Sequence, residues 1–227
     1  QDRRNPIHSR YAGPLSRREF MNYSASPFRI HTHETLVFGL EQIGAGGHNG
    51  AQTILLPTVS RTADPTWLFV DEGFTLAREH EVESLFAIGN GYVGHRGSLA
   101  EGTQLSAPAT FVAGVFEQLD RAGSVPQLMT LADWAEVRVW IDGHPLSMER
   151  GQVLEHRRIL DWRRGVLWRE WRHRDPDGRI TNIVAFRLAS LADRHLLLQS
   201  VMFTAENYSA VLRFESSIES PPGVMSS

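Results

Sequence analysis

The chain has 227 residues, of which 41% are hydrophobic and 22% charged, as in an ordinary soluble globular protein. Its formal net charge of −3 gives no electrostatic reason to bind nucleic acid or an anionic membrane, and no apolar run approaches the ~20 residues of a membrane-spanning helix. Cysteine is absent, which excludes disulfides and thiolate chemistry.

The first part of the chain, residues 1–63, lacks sustained periodicity and is rich in arginine, serine, proline and glycine. Such a composition predicts an irregular N-terminal extension, with one short strand over 53–57. His31, His33 and Glu34 are residue types that bind zinc, but no further cluster completes a site. A solvated loop is therefore favoured over a metal centre.

The domain proper is predicted to extend over residues 64–219. A brief strand is predicted over 67–70, where the sequence is apolar and β-favouring. A short helix is predicted over 82–86, because its apolar residues recur at helical spacing, and Gly89 is placed to cap that helix at its C-terminal end.

A glycine-rich stretch follows the predicted helix, and the chain is organised around it. Its glycines predict a bend in which the backbone reaches positive φ or approaches another segment closely. The spacing of Gly89, Gly91 and Gly94 also fits a dinucleotide-binding fingerprint, which requires a strand before it and a helix after it. Neither is predicted here, so a structural turn is favoured. The residues assigned to this turn are Gly89, Asn90, Gly91, Tyr92, Gly94, Arg96 and Gly97.

The second half of the chain has the pattern of half-buried antiparallel strands. The apolar residues of 137–141 recur at every second position, which predicts a strand with one buried face. β-Favouring runs on both sides of 175–178 predict a hairpin, with Asp177 and Gly178 at positive φ. Further strands are predicted over 110–116, 195–203 and 211–215.

Several short strands separated by polar turns indicate an all-β protein, mainly antiparallel, built as a large β-sandwich. Residues 220–227 form a tail of turn-forming residues with no predicted strand or helix after it. This leaves open a sandwich that is incomplete at its C-terminal end.

Arginine and tryptophan are concentrated between residues 157 and 174. Arginines interleaved with aromatic residues could bind single-stranded nucleic acid, and exposed tryptophan faces can stack on sugars. Because strand residues alternate between two faces, the set also fits a tryptophan-rich core face with a solvated arginine face, which is the favoured interpretation. The candidates for sugar stacking are Trp134, Trp162 and Trp168.

Glycoside cleavage requires a general acid and, in hydrolysis, a second carboxylate at a set separation. The acidic residues that could be considered are Asp133, Glu136, Asp161 and Glu170. Their spacing selects none of them, so the sequence assigns no catalytic residue.

Residues 83–97 closely resemble the start of the N-terminal domain of glycoside hydrolase family 65, the family of maltose, trehalose and kojibiose phosphorylases and acid trehalases. Later segments resemble the same domain in the same order, so that the resemblance covers about residues 64–219. These segments are 110–116, Asp133 with Trp134, 158–161, 165–169 and 206–209. The resemblance implies a sandwich of the galactose-mutarotase-like supersandwich type, followed in such enzymes by a helical linker and an (α/α)6 barrel that holds the catalytic residues.

None of the barrel motifs is found in these 227 residues. The resemblance therefore implies a truncated chain that carries the non-catalytic N-terminal domain of a bacterial, cytoplasmic α-glucoside phosphorylase or hydrolase, inactive by itself. The implied partners are the barrel, a disaccharide such as trehalose, maltose or kojibiose, and a second copy in a homodimer, with inorganic phosphate as co-substrate and no metal or organic cofactor. The alternatives are a stand-alone carbohydrate-binding module and a dimerisation scaffold.

Overall fold

The structure, a computed structural model, describes residues 21–24, 28–33, 35–42, 59–117 and 124–219. These residues form a mainly β fold with one short α-helix, α1 (Glu79–Leu85), and two 3-10 helices, Pro65–Trp67 and Leu76–Arg78. The strands of the described residues are β1 (Met21–Ser24), β2 (Phe28–Ile30), β3 (Thr35–Gln42), β4 (Leu68–Glu72), β5 (Ile88–Gly89), β6 (Val93–His95), β7 (Thr110–Val112), β8 (Phe116–Glu117), β9 (Gln127–Leu128), β10 (Asp133–Ile141), β11 (His144–Pro145), β12 (Gln152–Asp161), β13 (Val166–Arg174), β14 (Ile180–Ala189), β15 (Leu197–Ala205) and β16 (Ala210–Glu219).

Two large antiparallel sheets contain most of these strands. The six-stranded sheet has the order β3-β15-β14-β13-β12-β4, and the five-stranded sheet has the order β1-β16-β10-β11 with β2 also paired to β16. The smaller sheets are β5-β6-β7 and β8-β9. The prediction of an all-β, mainly antiparallel protein is confirmed.

The two large sheets pack face to face around one shared core. Val137, Val139 and Ile141 on β10 point into it and are all buried, as their alternation predicts. Across the core, the rings of Phe203 on β15 and Phe214 on β16 meet edge to face, with centroids 5.1 Å apart. The layered packing is that of a sandwich, while its assignment to the galactose-mutarotase-like type stays a prediction.

The turn after β15 carries the chain from one sheet to the other. Asn207 in this turn accepts a hydrogen bond from the backbone N–H of Ile180 at 2.7 Å and donates one to the carbonyl of Gly178 at 3.0 Å. Its neighbour Glu206 accepts from Nη2 of Arg172 at 2.8 Å. These contacts hold the crossover against the β13–β14 hairpin.

Part of the predicted N-terminal extension belongs to the two sheets. β3 pairs with β15 at the edge of the six-stranded sheet, β1 and β2 pair with β16, and Ile30 is fully buried in the core. The prediction of an irregular segment is therefore wrong for these strands, because backbone hydrogen bonds to an existing strand edge require little periodicity in the sequence. The strand predicted over 53–57 and the tail over 220–227 lie outside the described residues.

Two local predictions around the glycine-rich stretch are wrong. Helix α1 ends at Leu85 with Phe86 as its C-cap, so Gly89 does not cap it and instead lies in β5. The single strand predicted over 110–116 is divided into β7 and β8 by a turn in which Gly114 has a φ of 83°. Glycine reaches this conformation at little cost, and the strand is interrupted there.

The hairpin predicted around 175–178 is confirmed, since Arg174 pairs with Ile180 across it. Gly178 has a φ of 81°, as expected, but the prediction of a positive φ at Asp177 is wrong. The carboxylate of Asp175 instead forms the turn, because its Oδ1 accepts from the backbone N–H of Asp177 at 2.9 Å.

Candidate functional site

The glycine-rich stretch folds as a hairpin of β5 and β6, here called the glycine hairpin (residues 88–95). Asn90 begins its turn, and its Oδ1 accepts from the backbone N–H groups of Tyr92 at 3.0 Å and Val93 at 2.9 Å. Gly91 has a φ of 85°, which only glycine adopts readily. A helix precedes the hairpin, and no helix follows it within residues 96–117 and 124–219, so these residues lack the dinucleotide-binding geometry.

The tip of the glycine hairpin is bound to the loop between β14 and β15. The amide nitrogen of Asn90 donates to the carbonyl of Ser190 at 2.7 Å and to that of Arg194 at 3.1 Å. The ring of Tyr92 lies under the guanidinium of Arg194 at 4.9 Å and meets His195 edge to face. Asn90 and Tyr92 therefore connect the hairpin to the six-stranded sheet.

The residues after β6 are held by Glu83 of α1, whose side chain is fully buried. Its Oε2 accepts from the backbone N–H of Ala107 at 2.9 Å and lies 3.4 Å from Nη2 of Arg96. The same guanidinium nitrogen donates to the carbonyl of His80 at 2.8 Å. Gly97 donates its backbone N–H to the Glu83 carbonyl at 2.8 Å. Arg96 and Gly97 thus join the hairpin to the helix before it.

The glycines of the stretch differ in how much space they have. A Cβ on Gly97 would lie 2.6 Å from the carbonyl oxygen of Phe86, and one on Gly89 would lie 3.1 Å from that of Val93. A Cβ on Gly94 would meet nothing closer than 3.7 Å, which is an ordinary contact. Close approach therefore requires glycine at Gly97, whereas Gly94 has room for a side chain.

A network of buried charges lies beneath α1 and the segment after the glycine hairpin, on the core-facing side of the six-stranded sheet. Arg169 donates two hydrogen bonds of 2.6 Å to the two carboxylate oxygens of Glu101, and Arg158 donates from Nη2 to Glu79. Burial raises the pKa of Glu79, while Arg169 outweighs the burial of Glu101 and lowers the pKa of that carboxyl. Paired charges of this kind fix the position of the loop that bears Glu101.

His156 belongs to the same network as a neutral imidazole. Its Nδ1 lies 2.8 Å from the Gly73 carbonyl and its Nε2 lies 3.2 Å from Nε of Arg169. Because arginine can only donate, Nε2 must accept and Nδ1–H must donate. Burial and then the charge of Arg169 lower the pKa of His156 to about 3, which agrees with this tautomer.

Arg187 is a further buried cation of the described network. It donates from Nε to the side-chain oxygen of Gln199 and from Nη1 to the Ser98 carbonyl at 2.6 Å. Gln199 in turn donates to the Ala135 carbonyl at 3.0 Å. Burial lowers the pKa of Arg187 to about 10. Neutral partners thus bind this guanidinium, and no carboxylate of the described residues is hydrogen-bonded to it.

An open cavity of about 660 Å³ lies between β10 and the loop after the glycine hairpin. Two of its acids are paired with protein groups, Glu101 with Arg169, and Glu136 with Arg138 and the Ser217 hydroxyl. The residues that line it are Leu99, Ala100, Glu101, Gly102, Thr103, Gln104, Ser106, Ala107, Pro108, Leu131, Asp133, Glu136, Arg138, Ser147 and Glu149. No aromatic side chain for sugar stacking is among them.

Asp133 is the acid of this cavity whose pKa is raised. Burial raises the pKa of its carboxyl, although Oδ1 accepts from the Ala135 backbone N–H at 2.9 Å. Glu136, which lines the same cavity, is engaged with Arg138. These two carboxylates therefore do not form a free acid and base pair of the kind that glycoside hydrolysis requires.

The other two candidate acids are structural. Asp161 is fully buried and accepts from the Thr62 backbone N–H at 2.7 Å and its hydroxyl at 2.9 Å. Glu170 forms ion pairs with Arg61 at 2.6 Å and with Arg157 at 2.5 Å. These contacts hold residues 59–62 on the outer face of the six-stranded sheet.

Two of the three tryptophans proposed to stack on sugars are buried. Trp134 and Trp168 are 4% and 5% exposed, whereas Trp162 is 63% exposed. Neither buried ring can offer a face to a ligand, so those two assignments are wrong. Trp168 is buried because both faces of the six-stranded sheet are covered, and Trp134 because Val93 and His95 of β6 pack against it, neither of which strand alternation indicates.

The arginine and tryptophan concentration is a structural feature of β12 and β13. Trp171 faces the core between the sheets, while Trp168 packs with Ile159 and Phe186 in a second apolar cluster on the opposite face. The sequence predicts tryptophans on one buried face, whereas the structure buries them on both faces of the six-stranded sheet. The arginines pair with acids, as expected for the structural interpretation.

Trp162 belongs to an exposed aromatic group at the β4 edge of the six-stranded sheet, which the sequence analysis does not identify. Its ring centroid lies 6.3 Å from that of Phe69, which stacks on Phe86 at 5.0 Å. Trp67 is exposed beside them. Two aromatic residues within 67–69, and a tryptophan directly after β12, are the sequence features that could have indicated this exposed aromatic group.

Neither a membrane-spanning helix nor a metal site is found among the described residues. No helix there is long and apolar enough to cross a bilayer. No group of three or more metal-binding side chains is found there either, and His31 and His33 are exposed in the loop after β2.

The sequence matches the family model described as glycosyl hydrolase family 65, N-terminal domain, over residues 69–222. A kojibiose phosphorylase from Caldanaerobacter subterraneus subsp. tengcongensis is 33% identical over 156 residues, which are 69% of this chain and 20% of that protein. An alpha,alpha-trehalose phosphorylase from Thermoanaerobacter brockii is 26% identical over 168 residues, which are 67% of this chain and 21% of that protein.

Among solved structures, a protein from the human microbiome assigned as a kojibiose phosphorylase shares the fold, with a TM-score of 0.51 at 13% identity. The alignment covers 73% of this chain and 34% of that one. The chain thus spans about a fifth of the length of the curated relatives described above.

Proposed function

The chain belongs to glycosyl hydrolase family 65, whose N-terminal domain it carries, and we propose that it serves a disaccharide phosphorylase as a non-catalytic domain. The observation that carries the proposal is the match over 69–222 together with relatives that are kojibiose and trehalose phosphorylases. The alternative of an independent binding module is not favoured.

The chemistry of the described residues supports a structural role for the chain. The buried acids Glu83, Glu101 and Asp161 accept hydrogen bonds from arginines or backbone N–H groups, so their carboxylate oxygens are occupied by protein donors. The relatives are about five times longer than the matched part, so their remaining length is the place we propose for the general acid and the phosphate site.

The reaction we propose for the whole enzyme is inverting phosphorolysis of an α-linked glucose disaccharide. A carboxylic acid protonates the glycosidic oxygen as phosphate attacks the anomeric carbon from the opposite face, giving β-glucose 1-phosphate and glucose. Phosphate is then the co-substrate, and no metal or organic cofactor takes part. Kojibiose, trehalose and maltose are the candidate substrates, and hydrolysis with water as nucleophile is the competing reaction.

The partners and the location follow from the same proposal. We expect the chain to contact an (α/α)6 catalytic barrel, and a second copy in a homodimer, in the cytoplasm of a bacterium. Sedimentation that gives a monomer at every concentration would exclude the homodimer for this chain alone.

The proposal is tested by assaying the purified 227-residue chain with kojibiose, trehalose and maltose, each with and without phosphate. We expect neither glucose 1-phosphate nor glucose to be released. In a chimera, this chain replaces the segment that it matches in the Caldanaerobacter kojibiose phosphorylase. We expect the chimera to show phosphate-dependent turnover, which the rest of that enzyme lacks without the segment. Turnover by the chain alone would refute the non-catalytic role.

A binding module would be detected by calorimetric titration with the same disaccharides. Trp162 is the candidate platform that is exposed, so any heat of binding should disappear in a Trp162→Ala variant. We expect no heat from either protein, because the proposed role of the chain is structural.

A further inference from the structure

Three arginines from neighbouring strands surround one small cavity inside the protein. Arg158 on β12 is directly opposite Arg169 on β13, and Arg187 on β14 is opposite Leu167, one side-chain position along the same face. All three side chains line a cavity of about 20 Å³ beneath the segment Gly97 to Ala100. Like charges directly opposite each other in a sheet repel, so this arrangement requires compensation.

The described carboxylates compensate the three charges unevenly. Glu79 accepts one hydrogen bond from Arg158, and Glu101 accepts two from Arg169. Arg187 is hydrogen-bonded to Gln199 and to the Ser98 carbonyl, and the nearby charge of Asp133 acts to raise its pKa without a hydrogen bond between the two side chains. The Arg187 residue is only 6% exposed, and it lines this cavity together with Arg158 and Arg169.

The size of the cavity restricts what can accept from these donors. A cavity needs roughly 10–15 Å³ to hold one water molecule, and this one has about 20 Å³. A monatomic anion fits such a space, whereas a sugar or a nucleotide phosphate group does not. The donors are guanidinium N–H groups, which favour a negative partner.

We propose that the cavity between Arg158, Arg169 and Arg187 is a binding site for a small monovalent anion of the size of chloride. The ion accepts hydrogen bonds from the guanidinium groups and offsets their mutual repulsion. It thereby stabilises the junction between the six-stranded sheet and the segment that follows the glycine hairpin. The site is independent of the proposed function, because no step of phosphorolysis uses it.

Diffraction from crystals of the unmodified chain grown with bromide in place of chloride tests the occupant directly. Bromide gives an anomalous signal that water does not, so a peak within hydrogen-bonding distance of all three arginines is expected. Density for water alone, with no anomalous peak at high bromide concentration, would overturn the proposal.

Thermal unfolding gives a second test in solution. At constant ionic strength, with gluconate as the replacement anion, the unfolding temperature should rise with the logarithm of the chloride concentration, because a ligand that binds the folded state stabilises it. Arg187→Gln should abolish this dependence. Arg157→Gln, which changes a partly exposed arginine on the opposite face of β12, should retain it.

Retention of the chloride dependence in Arg187→Gln would count against the site, as would its loss in Arg157→Gln. Sulfate and phosphate at matched ionic strength are expected to give no comparable rise, because they exceed the cavity. If Arg187→Gln does not fold, the bromide diffraction measurement decides the question.

Discussion

Gly97 and Phe86 approach so closely that a Cβ atom on the glycine would lie 2.6 Å from the Phe86 carbonyl oxygen and 2.7 Å from its Cβ. Phe86 is fully buried and stacks on Phe69, so it cannot move away without disturbing that packing. We expect Gly97→Ala to lower the free energy of unfolding by about 1–3 kcal/mol through overpacking.

Urea denaturation measures this change, and Gly94→Ala is the matched control. A Cβ on Gly94 meets nothing closer than 3.7 Å, and the residue is not at positive φ. If the two variants lose equal stability, close approach is not the reason for glycine at position 97.

The ion pair of Glu101 with Arg169 predicts a large effect from a small substitution. Glu101→Gln removes the charge that compensates a mostly buried guanidinium, and we expect a loss of about 3–5 kcal/mol of unfolding free energy. Glu155→Gln is the control, because Glu155 is 74% exposed and lies 3.6 Å from Arg172, so its loss should stay below about 1 kcal/mol. A small effect at Glu101, measured by urea denaturation, would contradict the network.

His156 predicts a loss of stability in mild acid. Its pKa is about 3 in the folded protein and near its ordinary 6.5 when unfolded, so the unfolded state binds the proton first as the pH falls. Stability is complete above about pH 6.5 and is lost progressively toward pH 3. We expect about 1 kcal/mol from this residue between pH 6 and pH 5.

The contribution of His156 is the difference in pH dependence between the unmodified chain and His156→Gln. Buried His95 has a pKa shifted in the same direction, so some dependence should persist in that variant. His144→Gln, at an exposed position in β11, should leave the pH dependence unchanged. An unchanged pH dependence in His156→Gln would show that folding does not lower the pKa of this imidazole.

Trp168 on β13 is buried and Trp162 in the turn after β12 is exposed, so substitution of the two should cost different amounts of stability. Trp168→Ala should cost about 3–5 kcal/mol of unfolding free energy, because it empties a buried site between Ile159 and Phe186. Trp162→Ala should cost less than about 1 kcal/mol, since most of the ring is in solvent. Thermal unfolding of both variants checks the contrast, and equal losses would refute the burial assigned to them.

The features that could be predicted from the sequence are local. Alternation over 137–141 indicated the buried face of β10, and proline, aspartate and glycine between β-favouring runs indicated the β13–β14 hairpin. Both depend on neighbouring residues alone. The role of Asn90 in a turn is local as well, although its bonds to Ser190 and Arg194 are not.

The features that could not be predicted depend on distant parts of the chain. Glu101 and Arg169 are 68 residues apart, and no spacing rule joins them. β3 becomes a strand because β15 offers it an edge, and Trp168 is buried because both faces of its sheet are covered. The requirement for glycine at position 97 likewise comes from Phe86, which only the tertiary structure brings against it.

The pairing of β1 with β16 places Met21 opposite Ile218, which has a consequence for biosynthesis. At a translation rate of about 5–20 residues per second, the first strand waits roughly 10 to 40 seconds for its partner to be made. Until then its backbone groups, and those of β2, have no sheet to join. The five-stranded sheet must therefore close late, and slow folding with a need for chaperone protection is the expected cost of this topology.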